Sequence, residues 1–103
     1  MEKHKKEANK IKKYEDIFKK YGNKYGVPLD FIKVVCVIES SFVPTAQNEG
    51  YKGLFALSEA EFSKYYDVKD IFDPEKNSDV GIQLLKQRLA TAGTYMTAVG
   101  LTP

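Results

Sequence analysis

Glu39 is the residue of this 103-residue chain with the clearest catalytic potential. It follows Val34–Ile38, the longest uninterrupted apolar run in the sequence. A carboxyl group at the end of such a run is expected to be partly buried, and burial favours its protonated form. A carboxylic acid that stays protonated near neutral pH can serve as a general acid. From position alone, the alternative is a helix-end glutamate that turns to solvent or pairs with a lysine.

Several short motifs stand in a fixed order around Glu39. Glu39–Phe42 reads E-S-S-F, and it is followed by Pro44, Ala46, Asn48, Gly50 and Gly53-Leu54-Phe55. Asp73–Asn77 reads D-P-E-K-N, and it is followed by Gly81, Leu85 and Leu89. Tyr25–Pro28 reads Y-G-V-P and ends eleven residues before Glu39. In order and spacing, residues 11–90 resemble the lytic transglycosylase family, whose motifs include E-S-x-F/W-x-P-x-A, G-x-x-G-L-M-Q and D-P-E-x-N.

The resemblance implies a peptidoglycan-cleaving enzyme with a single catalytic carboxyl group. Glu39 would protonate the oxygen between N-acetylmuramic acid and N-acetylglucosamine, then accept a proton from the muramoyl 6-hydroxyl. That hydroxyl closes onto C1 and gives a 1,6-anhydro end without consuming water, and the substrate's 2-acetamido group can stabilise the developing cation. Four other acids could reach the same cleft in the folded chain, which leaves a lysozyme-type hydrolase as an alternative: Glu49, Asp67, Asp70 and Asp73.

The resemblance also assigns substrate-binding roles to six residues: Ser40, Asn48, Gly53, Leu54, Phe55 and Tyr95. Ser40 would hydrogen-bond near Glu39 or cap the end of its helix. Asn48 stands where the family usually has a serine that positions the acetamido group, and an amide can also donate and accept there. Gly53-Leu54 would bring the backbone close to the glycan. Phe55 would line the sugar groove or serve as a core aromatic.

Two departures from the family pattern favour a second hypothesis. Ala56 replaces the glutamine of G-L-M-Q, and Tyr95 is the nearest match to the tyrosine of a late A-Y-N motif. The residues after Tyr95 do not continue that motif, so the C-terminal end is either truncated or diverged. The second hypothesis is a degenerate lysozyme-like domain that binds glycan or serves as a structural part of a virion or secretion machine. The retained Glu39 favours the active enzyme.

The particular residues of the motif around Glu39 also indicate where the protein acts. Glu39–Ala46 is similar to the transglycosylase domains of internal bacteriophage virion proteins, which are injected with the genome and pierce the cell wall. No signal peptide is expected, because residues 1–13 are charged and no apolar segment follows them. We therefore expect delivery to the bacterial envelope in a phage virion. The alternative is a bacterial periplasmic or cell-wall enzyme within a longer exported chain; either location allows virion or envelope partner proteins.

The charge distribution argues against a nucleic-acid-binding module. Residues 1–13 contain six lysines and two glutamates, a net charge of +4, whereas the other ninety residues contain ten basic and twelve acidic residues, −2. A solvated helix face is the expected role of the lysines, and DNA contact through them is the remaining alternative. His4 and Cys36 are the only residues of their types and cannot supply a usual metal ligand set, so we expect neither metal nor cofactor. Cys36 is expected to be a buried structural thiol.

The elements that must position Glu39 are helices. Hydrophobic periodicity predicts helices over residues 5–24, 28–40, 59–66 and 74–93, with Gly93 ending the last and another helix starting near Tyr95. The second helix is apolar nearly all round and is expected in the middle of the domain. The last helix is expected to bury a stripe made by Val80, Leu84, Leu85 and Leu89. Together with the resemblance, this predicts one mainly α, lysozyme-like domain over residues 1–103 with at most a minimal β element.

Overall fold

Helices dominate the computed structural model, which describes the backbone of residues 2–98 and the side chains of residues 12–93. The α-helices are α1 (Glu2–Tyr25), α2 (Leu29–Ser40), α3 (Glu59–Ser63) and α4 (Pro74–Ala98). Strands β1 (Gln47–Asn48) and β2 (Tyr51–Lys52) pair in an antiparallel hairpin, and Val68–Asp70 forms a 3-10 helix. The prediction of a mainly α domain with a minimal β element is confirmed.

The helix boundaries follow local sequence signals. Gly26 has a φ of 74° and ends α1, because this left-handed backbone suits glycine. Ser58 and Glu61 form a capping box: Glu61 N–H donates to Ser58 Oγ over 3.1 Å, and Ser58 N–H donates to Glu61 Oε1 over 3.0 Å. Asp73 caps α4 by accepting from the N–H of Lys76 over 2.9 Å. The helix predicted over residues 59–66 ends earlier, at Ser63, and the segment between it and α4 contains the 3-10 helix.

The core forms where α1 packs against both α2 and α4. Phe18 of α1 is fully buried and lies at the centre of an aromatic cluster. Its ring centroid is 6.4 Å from that of Tyr14, 6.2 Å from that of Phe42 and 5.5 Å from that of Phe55. Because Phe42 follows α2 and Phe55 follows the hairpin, this cluster joins the two segments that flank the candidate site.

The prediction that α2 lies buried in the middle of the domain is wrong. Ile32 and Cys36 are fully buried, but four apolar residues of α2 are exposed: Phe31, Val34, Val37 and Ile38. Within residues 12–93, α2 is covered on one side by α1 and by the segment after β2, where Cys36 Sγ lies 3.7 Å from the carbonyl oxygen of Leu54. Composition showed that every face of α2 is apolar, but it did not show which faces find a partner.

The predicted end of the last helix at Gly93 is also wrong, and so is the separate helix near Tyr95. α4 continues through Gly93 to Ala98. A glycine costs a helix about 1 kcal/mol relative to alanine, and good helix formers on both sides can offset that cost. Val80 and Leu85 are buried as predicted and Leu84 is partly buried, but Leu89 is 43% exposed. Every described side chain of α4 beyond Leu85 is exposed, so the body covers only the first half of this helix.

The buried carboxylate of Asp79 in α4 connects this helix to α1 and to the turn that follows α3. Asp79 is 8% exposed and accepts hydrogen bonds from the hydroxyls of Tyr25 and Tyr66. Burial and the hydrogen bond to Asp79 hold the pKa of Tyr25 well above its usual range. The hydrogen bond to Asp79 and burial raise the pKa of Tyr66 to about 12. Both tyrosines therefore stabilise the fold in their protonated form.

We predict that this cluster makes the fold sensitive to alkaline pH. The pKa of Tyr66 is raised from 10.0 to about 12, so its contribution is complete below pH 10 and is lost as pH rises through about 12. The free energy of unfolding, measured by urea titration between pH 8 and pH 11.5, should fall less steeply in Tyr66→Phe than in the unchanged protein. Lysines also lose their protons in this pH range, but they do so in both proteins, so their effect on the free energy of unfolding cancels in the comparison. Parallel pH profiles would contradict the prediction.

Candidate active site

A cavity of about 190 Å³ lies where the C-terminal end of α2 meets the β1–β2 hairpin. Its walls are formed by Ile38, Glu39, Ala46, Gln47, Asn48, Tyr51, Gly53 and Ala56. Three of the residues predicted from the sequence, Glu39, Asn48 and Gly53, therefore meet in one groove. Among residues 12–93, Glu39 is the only acid that lines it.

A larger depression of about 590 Å³ lies beside α3 and α4, lined by Glu61, Leu84, Gln87, Arg88, Thr91 and Ala92. Its acid is already engaged, because Glu61 accepts from Ser58 over 3.1 Å and pairs with Arg88 over 3.5 Å. None of the residues singled out for chemistry lies there. We therefore place the candidate site in the smaller groove.

Glu39 is exposed, and the prediction that it is partly buried is wrong. The reason is the position of α2: Val37 and Ile38, the residues just before Glu39, also lie on its uncovered side. In the part of the chain with described side chains, the Glu39 carboxylate makes no hydrogen bond or ion pair. The carboxyl group is therefore free to reach a bound substrate.

The chain turns sharply directly after Glu39. Ser41 and Phe42 both have left-handed backbone, with φ angles of 52° and 62°, and the N–H of Ser41 donates to the carbonyl of Val37. This turn ends α2 and sends Phe42 into the core. Ser40 is buried, and its hydroxyl donates to the carbonyl of Cys36 over 3.2 Å. Ser40 thus faces the interior and forms no hydrogen bond with Glu39.

The hairpin supplies the opposite wall of the groove. Glu49 and Gly50 connect the strands with φ angles of 51° and 85°, as a two-residue type I′ turn requires. Asn48 is paired with Tyr51 across the strands. Lys52 is fixed further by a bridge to Leu57, with both N–H···O distances at 2.9 Å. Backbone hydrogen bonds and the tight turn of the hairpin thus hold Asn48 at the groove.

Asn77 of α4 anchors the segment that leads from the hairpin into the core. Its side chain is fully buried, accepts from the N–H of Phe55 over 2.9 Å, and donates to the carbonyls of Lys52 over 3.1 Å and Ile71 over 2.8 Å. Gly53 has a φ of 85°, and a Cβ there would clash with Asn77 Nδ2. In the sequence, Asn77 is recognisable only as part of the D-P-E-K-N helix start. Its spacing three residues before buried Val80 was the signal that this polar side chain points inward.

The remaining predicted site residues lie elsewhere. Leu54 and Phe55 are in the core and do not line the groove, which supports the core-aromatic interpretation of Phe55. Phe55 packs so closely on α4 that a Cβ at Gly81 would clash with it. The Tyr95 side chain lies outside the described residues. Three groove residues were not predicted from the sequence: Ile38, Gln47 and Tyr51.

The described residues contain neither a metal-ligand cluster nor a membrane-spanning helix. That part of the chain has no group of three His, Cys, Asp or Glu side chains placed to hold a metal ion. Its helices also include none with the length and apolar character needed to cross a membrane.

Comparison with known families gives a match over most of the chain. The family model described as the transglycosylase SLT domain matches residues 16–100, which include Glu39, the hairpin and all of α4. Searches of curated proteins and of solved structures found no significant match.

Proposed function

The chain belongs to the transglycosylase SLT domain family, and from that premise we propose that it cleaves the N-acetylmuramic acid–N-acetylglucosamine β-1,4 bond of peptidoglycan without hydrolysis. The family supports a peptidoglycan transglycosylase-type function in general, with the glycan strand as the bound partner. The observation that carries the finer proposal is the groove at the end of α2. Glu39 is its only acid among residues 12–93, and its carboxyl group has no competing partner there.

A single carboxyl group can carry out both proton transfers of this reaction. Protonated Glu39 donates to the glycosidic oxygen, and the bond from that oxygen to C1 of the muramoyl residue breaks. The resulting carboxylate then accepts the proton of the muramoyl 6-hydroxyl, whose oxygen bonds to C1. A glycan strand in the groove would displace water from around Glu39, beside Ile38, where the two proton transfers take place.

The other groove residues would orient the sugar. Asn48 can donate to and accept from an acetamido group, and Gly53 allows the glycan to approach the backbone closely. In this proposal Ser40, Leu54 and Phe55 act from behind the groove, because they are buried in the core. They would hold its walls rather than touch the glycan.

A glycan-binding domain without turnover is the second candidate. The observation that favours it is Ala56, which lines the groove where the family has a glutamine. An alanine methyl group can neither donate nor accept a hydrogen bond, so one polar contact to substrate would be missing. A lysozyme-type hydrolase is less favoured, because a two-carboxylate reaction needs a second acid at the bond and residues 12–93 supply none to this groove.

Mass spectrometry of the products tests the proposal. We expect digestion of purified peptidoglycan to release muropeptides with 1,6-anhydro ends, each lighter by one water than the hydrolytic product. Reducing ends would instead identify a hydrolase. Retention of the protein on insoluble peptidoglycan, with no soluble product, would favour the glycan-binding candidate.

The proposed substrate lies in the cell envelope, and the protein must be brought to it. We propose delivery in a phage virion, with virion proteins as partners, and a longer exported bacterial chain as the alternative. Delivery in a virion is supported only by the similarity of residues 39–46 to the transglycosylase domains of phage virion proteins. Detection of this chain by peptide mass spectrometry in purified virions would support it, and detection only in the envelope fraction of uninfected cells would contradict it.

A further inference from the structure

Tyr51 is a large aromatic side chain that the proposed reaction does not use. It is 51% exposed, and it lines the groove that contains Glu39. Within residues 12–93 its hydroxyl has no hydrogen-bond partner and its ring is not stacked on another aromatic ring. The side chain therefore adds little to the fold, and its position at the groove needs another explanation.

The hairpin fixes the direction in which Tyr51 points. Successive side chains of a strand point to opposite faces, so Tyr51 and Lys52 face opposite ways. Lys52 is turned away from the groove, since its ammonium group pairs with Glu59 of α3 over 2.8 Å. Cross-strand partners share a face, and Tyr51 is paired with Asn48. Both residues of this pair line the groove, so the ring and the amide stand side by side there.

This pair matches the chemistry of an N-acetylated sugar. A pyranose ring has apolar C–H faces that pack against the negative face of an aromatic ring, and its acetamido group needs an amide-type hydrogen-bond partner. Ile38, 74% exposed, adds apolar surface on the opposite wall, next to Glu39. We propose that Tyr51 stacks on one N-acetylated sugar ring of the glycan strand beside Glu39, and so sets the affinity of the groove for glycan. This inference rests on the proposed function and adds to it a specificity-determining residue.

The test measures affinity separately from chemistry. The tetramer of N-acetylglucosamine is titrated into Glu39→Gln protein by calorimetry, so that no cleavage occurs. Adding Tyr51→Ala should weaken binding roughly five- to tenfold, whereas Tyr51→Phe keeps the ring and should stay within about twofold. Tyr65→Ala is the matched control, because Tyr65 is 43% exposed but lies outside the groove. It should bind like the parent. In cleavage assays the Tyr51→Ala loss should appear in KM rather than in kcat.

The outcomes separate this inference from the proposed function. Equal affinity of Tyr51→Ala and the parent would overturn the stacking role while leaving the transglycosylase proposal intact. An equal loss in Tyr51→Phe and Tyr51→Ala would also overturn it, because the hydroxyl rather than the ring would then bind the sugar. A loss specific to Tyr51→Ala supports the inference even if the unchanged protein releases no product. A parent that does not bind the tetramer at all would overturn the inference together with the proposed glycan site.

Discussion

Glu39→Gln is expected to lower the rate of peptidoglycan cleavage on the order of 10²–10⁴-fold, the usual contribution of a general acid or base. Glutamine has nearly the same shape but cannot donate a proton to the glycosidic oxygen or accept one from the 6-hydroxyl. The fold should be unaffected, because Glu39 is exposed and its carboxylate has no partner among the described side chains. The rate is measured as soluble muropeptide released per unit time, and the free energy of unfolding should change by less than about 0.5 kcal/mol.

Glu49→Gln is the matched control for this experiment. Glu49 is also an exposed glutamate, and it lies in the hairpin turn without lining the groove. We expect this variant to keep its cleavage rate within about twofold, as usual for a surface substitution outside the site. A loss as large as that of Glu39→Gln would indicate a two-carboxylate reaction. An unchanged rate of cleavage by Glu39→Gln would contradict the mechanism in which Glu39 is the single acid and base.

The composition of the groove could be predicted from the sequence in part. Glu39, Asn48 and Gly53 belong to one motif segment, and a motif of fixed spacing carries the local backbone turns with it. Tyr51 lies in the same segment but was not predicted, because its direction depends on the pairing of the two strands. The sequence around a single tyrosine does not show whether its side chain lines a groove or lies elsewhere on the protein surface.

The wrong predictions share a physical cause. Hydrophobic patterns show which faces of a helix could be buried, but the neighbours that do the burying are set by tertiary packing. The apolar faces of α2 and the second half of α4 illustrate this: Val34, Ile38 and Leu89 are as apolar as their buried neighbours, yet they are exposed. The exposure of Glu39 follows from the same arrangement of α2. Local signals such as the capping box at Ser58 do not depend on tertiary packing, because they act within four residues.

α4 serves the groove although none of its described side chains lines it. Its first half bears Asn77, which holds the backbone of Lys52 and Phe55, and Gly81, which receives the ring of Phe55. The wall that contains Gly53 is therefore positioned from a helix that begins twenty-one residues later in the chain, at Pro74. This dependence links the D-P-E-K-N segment structurally to the groove that contains Glu39.

Asn77→Ala is expected to destabilise the protein by about 3 kcal/mol. The substitution leaves the N–H of Phe55 and the carbonyls of Lys52 and Ile71 without their partner, and an unpaired buried polar group costs about 1–3 kcal/mol. The midpoint of thermal unfolding should fall by roughly 10–20 °C for a domain of this size. Urea titration followed by circular dichroism measures the free energy directly. At a temperature where the variant is folded, its glycan cleavage should also be slower, because the wall at Gly53 is no longer fixed.

Ser78→Ala separates the role of the Asn77 amide from that of burial in general. Ser78 is the next residue of α4 and is also fully buried, but its hydroxyl has no hydrogen-bond partner among the described residues. Removing an unpaired buried hydroxyl, and replacing serine by a better helix former, should leave stability unchanged or raise it by up to about 1 kcal/mol. Opposite effects at two adjacent buried positions would show that the three hydrogen bonds of Asn77 hold the groove wall. If Asn77→Ala costs less than about 1 kcal/mol, the wall must be fixed mainly by the packing of Phe55 between Phe18 and Gly81.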